Sequence, residues 1–146
     1  MTGRTKPPRW MSAVLYAAGV YNVLWGAVVV LCPLMFFRWA GAAPPNYPQI
    51  WQCLGMVVGV YGVGYAIAAR DPFRHWPIVL VGLLGKLLGP IGFLQTAYGG
   101  TWPWRMGWIN ITNDLVWLVP FTIILYRAYK FERGRAVEVS THTATK

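Results

Sequence analysis

The chain has 146 residues, of which 56% are hydrophobic and only 12% charged, with a mean hydropathy of +0.42. A soluble domain carries roughly 25% charged residues, so half of the usual polar surface is missing, and the net charge of +9 is dispersed between long apolar runs. A soluble enzyme, a nucleic-acid-binding domain, a disordered tail and a disulfide scaffold are excluded on these grounds, and the length leaves room for one domain.

Residues 1–9 form a basic arm with Arg4, Lys6 and Arg9. A bilayer-spanning helix needs about 20 predominantly apolar residues, and the first stretch that qualifies covers 10–32, with Ser12 and Asn22 its clearly polar interruptions. Ala40-Gly41-Ala42 resembles a signal-peptide cleavage site. A signal peptide's apolar core is only about 7–15 residues long, however, so the longer run is read as an uncleaved anchor. The loop 33–48 contains Pro44, Pro45 and Pro48, and its segment Leu34–Trp39 is apolar enough to lie in the membrane interface. A second span covers 49–69. The short turn Arg70–His75 follows, where Asp71 suits a helix N-cap and Pro72 a first helical position. The third span covers 76–98 and the fourth 108–129. Residues 130–146 are expected to be a loose polar tail.

Ten of the thirteen Lys and Arg fall on the arm, the 70–75 turn and the tail. The opposite loops carry only Arg38 and Arg105, and Lys86 lies inside a span. By the positive-inside rule both termini are cytoplasmic. Trp10 and Trp76 then mark the inner edge, and Trp39, Trp51, Trp102, Trp104 and Trp108 the outer one, where indole rings favour the headgroup layer. The expected fold is an all-α integral membrane protein, an antiparallel four-transmembrane-helix bundle in a bacterial inner membrane.

Helices in lipid associate through close backbone approach and hydrogen bonds. Gly19, Asn22 and Gly26 share a face of the first span, Gly55, Gly59 and Gly62 one of the second, and Gly82, Gly85, Gly89 and Gly92 one of the third. These stripes suit packing within one bundle or a contact between copies of the chain. Lys86 lies about ten residues into its span, roughly 15 Å deep at 1.5 Å per residue. That position costs at least about 2.5–3.5 kcal/mol and demands a partner. Asp114, the one carboxylate inside a span, lies roughly 9 Å deep, within reach of an extended lysine. Asn22, Asn110 and Asn113 fall at similar levels, and Pro90 frees the carbonyl of Lys86 from its helical donor. Together they predict one polar pocket near the midplane, either a buried pair that fixes helix register or a site for a small polar or anionic substrate or for protons; a third reading, in which Asp114 caps a broken fourth helix, leaves a helix from Leu115 too short to span alone.

Cys32 and Cys53 both fall near the outer ends of their spans, where a thiol pair would meet an oxidising compartment; two such cysteines are also ordinary small hydrophobes. The sequence contains no Cys-x-x-Cys, metal-ligand spacing, phosphate loop or dinucleotide fingerprint. His75 belongs to the turn and His142 to the tail, so neither a metal nor another cofactor is expected.

The stretch Gly59-Val60-Tyr61-Gly62-Val63-Gly64-Tyr65, then Ala69-Arg70-Asp71-Pro72, Arg74 through Lys86, and Gly89-Pro90-Ile91-Gly92-Phe93, together with Asn113-Asp114-Leu115 and Trp117, resembles a group of small bacterial four-span proteins, broadly similar in layout to DoxX-like membrane proteins. The resemblance covers the spans and not the two tails. Such relatives sometimes carry the label alkyl hydroperoxide reductase. The expected role is an accessory or binding component around the Lys/Asp/Asn pocket, with a small-solute or proton-linked transporter and a thiol-redox component as alternatives. Expected partners are the lipid bilayer, a second copy of the chain or another membrane or soluble protein, and no nucleic acid.

Overall fold

A computed structural model describes residues 6–144. Arg4 and Lys146 of the basic count lie outside the described residues, as do the side chains of Arg135, Glu138 and His142. The described residues form helices joined by loops, without strands, and four helical runs are long and apolar enough to cross a membrane.

The runs are α1 (Arg9–Leu31), α3 (Pro48–Ala68), α4 (Trp76–Tyr98) and a composite fourth span. A short α2 (Met35–Ala40) sits in the first long loop and buries Phe37 and Ala40. It stops at Gly41, whose φ of 69° is the left-handed geometry that ends helices without a Cβ penalty. The composite span runs through a 3-10 turn (Trp104–Met106), α5 (Gly107–Asn110), a π-helical segment (Ile111–Leu115) and α6 (Val116–Ala144).

Three expectations change. Helix α4 covers the expected 76–98, but Asp71 and Pro72 do not cap it, since the residue before its first turn is His75. Asp71 instead accepts the N–H of Arg74 at 3.2 Å in a side-chain-stabilised turn, and Pro77 occupies the first turn of the helix. The tail is not loose after Tyr129, because α6 continues to Ala144. Trp76 fastens its first part by donating to Glu132 at 3.0 Å, and Phe73 stacks on Phe131 at 4.8 Å. The fourth span also starts earlier than residue 108 and is not a uniform α-helix.

Two apolar clusters lie towards opposite ends of the bundle. One joins Met11, Leu15, Tyr65, Val79, Phe121 and Ile124 beside the 69–75 turn. The other joins Phe37, Phe93, Ala97 and Met106 beneath the two remaining loops, with Trp51 and Trp102 packed against it. Outward-facing residues are as apolar as the core: Leu24, Val60, Leu88 and Val119 are each more than 60% exposed. Such a surface is an aggregation liability in water and ordinary in lipid.

Helices α1 and α3 meet backbone to backbone. A Cβ on Gly19 would lie 2.8 Å from the carbonyl oxygen of Gly62, one on Gly62 would meet the carbonyl of Gly19, and Gly26 and Gly55 oppose each other in the same way. Gly19 and Gly26 of the first stripe and Gly55 and Gly62 of the second are therefore consumed by each other. Replacing Gly19 or Gly62 with leucine is expected to lower the thermal midpoint in detergent steeply, since the atoms in the way are main-chain and even ordinary overpacking costs about 1–3 kcal/mol. Gly59→Ala, whose Cβ meets nothing within 4 Å, is expected to leave the melting curve unchanged.

Candidate functional site

The stripe on α4 has a different use. A Cβ at Gly82 would strike the ring and hydroxyl of Tyr65, and one at Gly89 would come within 2.8 Å of the Asp114 carboxylate. These two glycines seat side chains of neighbouring helices. Gly85 and Gly92 have nothing within 4 Å of a Cβ and border a cavity of about 490 Å³.

Asn22, Lys86, Asn110, Asn113 and Asp114 all line that cavity. Lys86 is 3% exposed, Asp114 7% and Asn22 2%. The ammonium of Lys86 lies 4.0 Å from Asp114 Oδ1, the outer limit of an ion pair. Its hydrogen bond goes elsewhere, to the main-chain carbonyl of Asn113. The remaining side of the ammonium faces the ring of Tyr65, 5.9 Å from its centroid. Asn113 Nδ2 in turn donates to Asp114 Oδ1 at 3.0 Å.

The carbonyl is available because of the π segment. There the N–H of Val116 reaches back to the carbonyl of Ile111, an i to i+5 bond that shifts the register of the ladder. Two carbonyls of the segment take side-chain donors: Thr112 accepts the indole N–H of Trp117 at 3.2 Å, and Asn113 accepts Lys86. Sequence reasoning paired Lys86 with the carboxylate alone and missed the main-chain acceptor. The available signal was the run Thr112-Asn113-Asp114, three short polar side chains that compete with helical bonding. Thr112 Oγ1 does so by donating to the carbonyls of Trp108 and Ile109.

Three buried polar atoms on the cavity-lining residues have no hydrogen-bond partner: Asn22 Oδ1, Asn113 Oδ1 and Trp51 Nε1. Towards the loops the cavity is aromatic, with Trp51 at 6.0 Å from Trp25 and 6.3 Å from Trp102. Tyr65 and Trp51, which the sequence placed only as a span residue and an interface marker, are thus part of the site's walls.

Cys32 and Cys53 are free, exposed thiols and do not border the cavity. Among the described residues no group of three or more His, Cys, Asp and Glu side chains is arranged to hold a metal ion. No family model, curated protein or solved structure matches the chain.

Lys86→Met or Asp114→Leu alone strands a polar partner in the bundle, and removing one member of a buried pair costs about 3–5 kcal/mol. Each single variant is expected to melt at a clearly lower temperature in detergent, and the double Met/Leu variant to recover most of the loss. A Lys86→Met protein that melts like the parent would show that the ammonium is not held by these oxygens. Cys32→Ser with Cys53→Ser is expected to change neither melting nor yield.

Proposed function

We propose that this chain is a multi-pass inner-membrane protein that binds a small molecule against the polar wall of the α1–α3–α4–π cavity. The observation that carries the reading is Asn22. A span residue 98% buried, with Oδ1 unpartnered and bordering a cavity, costs stability unless something in that cavity meets it. Packing glue would have paired the amide with a neighbouring helix. The Lys86–Asn113–Asp114 cluster supplies further polar contacts beside it.

The proposed setting is an antiparallel bundle with both termini in the cytoplasm. It is supported by the basic residues around the 69–75 end, where Lys6, Arg9, Arg70 and Arg74 border a second pocket. Cytoplasmic signals are expected from reporters fused after Lys146 and within 70–75, and an external one from a reporter at Pro45. An external signal at Lys146 would overturn the arrangement.

A transporter remains the second reading, favoured by a charged pair and a π segment together in the interior of the spans. Its test differs: reconstituted vesicles would have to show solute or proton flux that Lys86→Met abolishes.

For the binding reading, Asn22→Leu removes an unsatisfied amide and puts an apolar side chain in its place. The variant is expected to melt at the same or a higher temperature than the parent, a stability gained at the expense of function. Mass spectrometry of organic extracts from equal amounts of the two purified proteins should show a small molecule retained by the parent and depleted from the variant. Equal extracts together with a lowered melting temperature would make Asn22 a packing residue and overturn the proposal.

A further inference from the structure

The cavity has a direction and a polarity, and both constrain what enters it. Leu54 and Val57 on α3 and Leu88 on α4 line the cavity, yet they are 43%, 47% and 66% exposed on the flank of the bundle. Gly85, Gly89 and Gly92 are exposed along the same strip of α4. The cavity therefore opens sideways between α3 and α4, at a depth where the surroundings of a spanning helix are hydrocarbon. A solute arriving from water has no reason to use that opening, whereas a molecule already dissolved in the bilayer meets it directly.

The polar wall is electrically balanced. Lys86 gives one hydrogen bond to the Asn113 carbonyl and has the Asp114 carboxylate 4.0 Å away, so its positive charge is offset inside the wall before any anion reaches it. An anionic group would in addition face Asp114 and the amide oxygen of Asn113, whose orientation is fixed because its Nδ2 is spent on the carboxylate. A cationic group would face Lys86. Among the described residues the fully buried atoms without a partner are the amide oxygens of Asn22 and Asn113, which need donors, and the indole N–H of Trp51, which needs an acceptor. A hydroxyl group supplies both.

We infer that the ligand is a membrane-resident amphiphile with an uncharged, hydrogen-bond-donating head such as a hydroxyl, admitted laterally through the α3–α4 cleft so that the head reaches Asn22 and Asn113 while the apolar body lies along Gly85, Gly89 and Gly92. This rests on the binding reading above and adds the ligand's class and route. The glycines have a reason under it: at Gly85 and Gly92 no neighbour forbids a side chain, and a side chain would fill the space the apolar body occupies.

The test uses the full chain in detergent micelles and three probes of equal length, ω-bromoundecanol, ω-bromoundecanoate and ω-bromoundecyltrimethylammonium, whose bromine quenches the fluorescence of nearby tryptophans such as Trp25, Trp51 and Trp102. Saturable quenching by the alcohol is expected, with an apparent affinity about tenfold or more above that of either charged probe, the factor that roughly 1.4 kcal/mol confers. Gly85→Leu with Gly92→Leu should abolish the saturable part without lowering the melting temperature. If that variant fails to fold, Leu88→Phe, which narrows the mouth from its exposed side without adding an indole for the probes to quench, replaces it with the same expectation. Tighter binding of the carboxylate, lost in Asn22→Leu, would overturn the uncharged head and leave the binding reading standing. Alcohol binding that survives the blocked cleft but is lost in Asn22→Leu would overturn the lateral route alone. Absence of saturable quenching with every probe would overturn the inference and the binding reading together.

Discussion

An ammonium ion carried in the interior of an apolar helix must be surrounded by oxygen, and much of this bundle's interior is arranged around that demand. Leaving Lys86 unsatisfied would cost several kcal/mol, a large share of what holds a small domain together. One carboxylate at the edge of ion-pair distance does not meet the demand alone. The helix opposite changes its own hydrogen-bonding pattern and offers a main-chain carbonyl. The local irregularity of the fourth span and the charge on the third are thus two sides of one contact. Gly89 belongs to it as well, since any larger residue there would push the Asp114 carboxylate away.

Glycine does two opposite things in this molecule. Between α1 and α3 it removes side chains so that backbones touch, and the reward is dispersion and weak polar contact in a medium where apolar burial gains little. Along α4 it removes side chains so that space persists or so that a ring and a carboxylate from other helices can enter. The first use makes a rigid pair. The second leaves a gap between that pair and the α4–α6 half, closed at one end by the cluster around Tyr65 and Phe121, and polar residues from both halves border it. Asn22 comes from the rigid pair, and Lys86 and Asp114 come from the other half.

How much of this the sequence disclosed follows from which signals are local. The four spans are legible because hydropathy over about 20 residues is a strong, additive signal, and Lys86 and Asp114 stand out because charge inside such a window is costly. Depth counting brought Lys86, Asp114 and Asn22 to one level because a helix rises by a constant amount per residue. The same counting could not separate Gly82 from Gly85, because both lie on one stripe and only the neighbour across the gap distinguishes them. Nor could it find the π segment, whose register shift depends on tertiary partners for the carbonyls it frees. The third span is legible to its first residue, Trp76, whereas the cap is not: Asp71 followed by Pro72 satisfies the rules for one, yet the same carboxylate serves a turn equally well. The tail was misjudged because polarity was taken for looseness, while α6 continues as helix from anchors at Phe131 and Glu132.

That continuation has a geometric consequence. A helix of 29 residues rises roughly 43 Å at 1.5 Å per residue, well beyond a hydrocarbon layer of about 30 Å. From Glu132 to Ala144 the helix is therefore a shaft whose angular phase is set by Trp76 and Phe73. Each residue inserted or deleted beyond that point turns the distal end by about 100° around the axis and advances it by about 1.5 Å, with the bundle itself undisturbed. A surface borne on the far turns is consequently indexed in azimuth to the third span. Length changes there re-aim it in discrete steps, and seven residues, close to two whole turns, restore nearly the original heading.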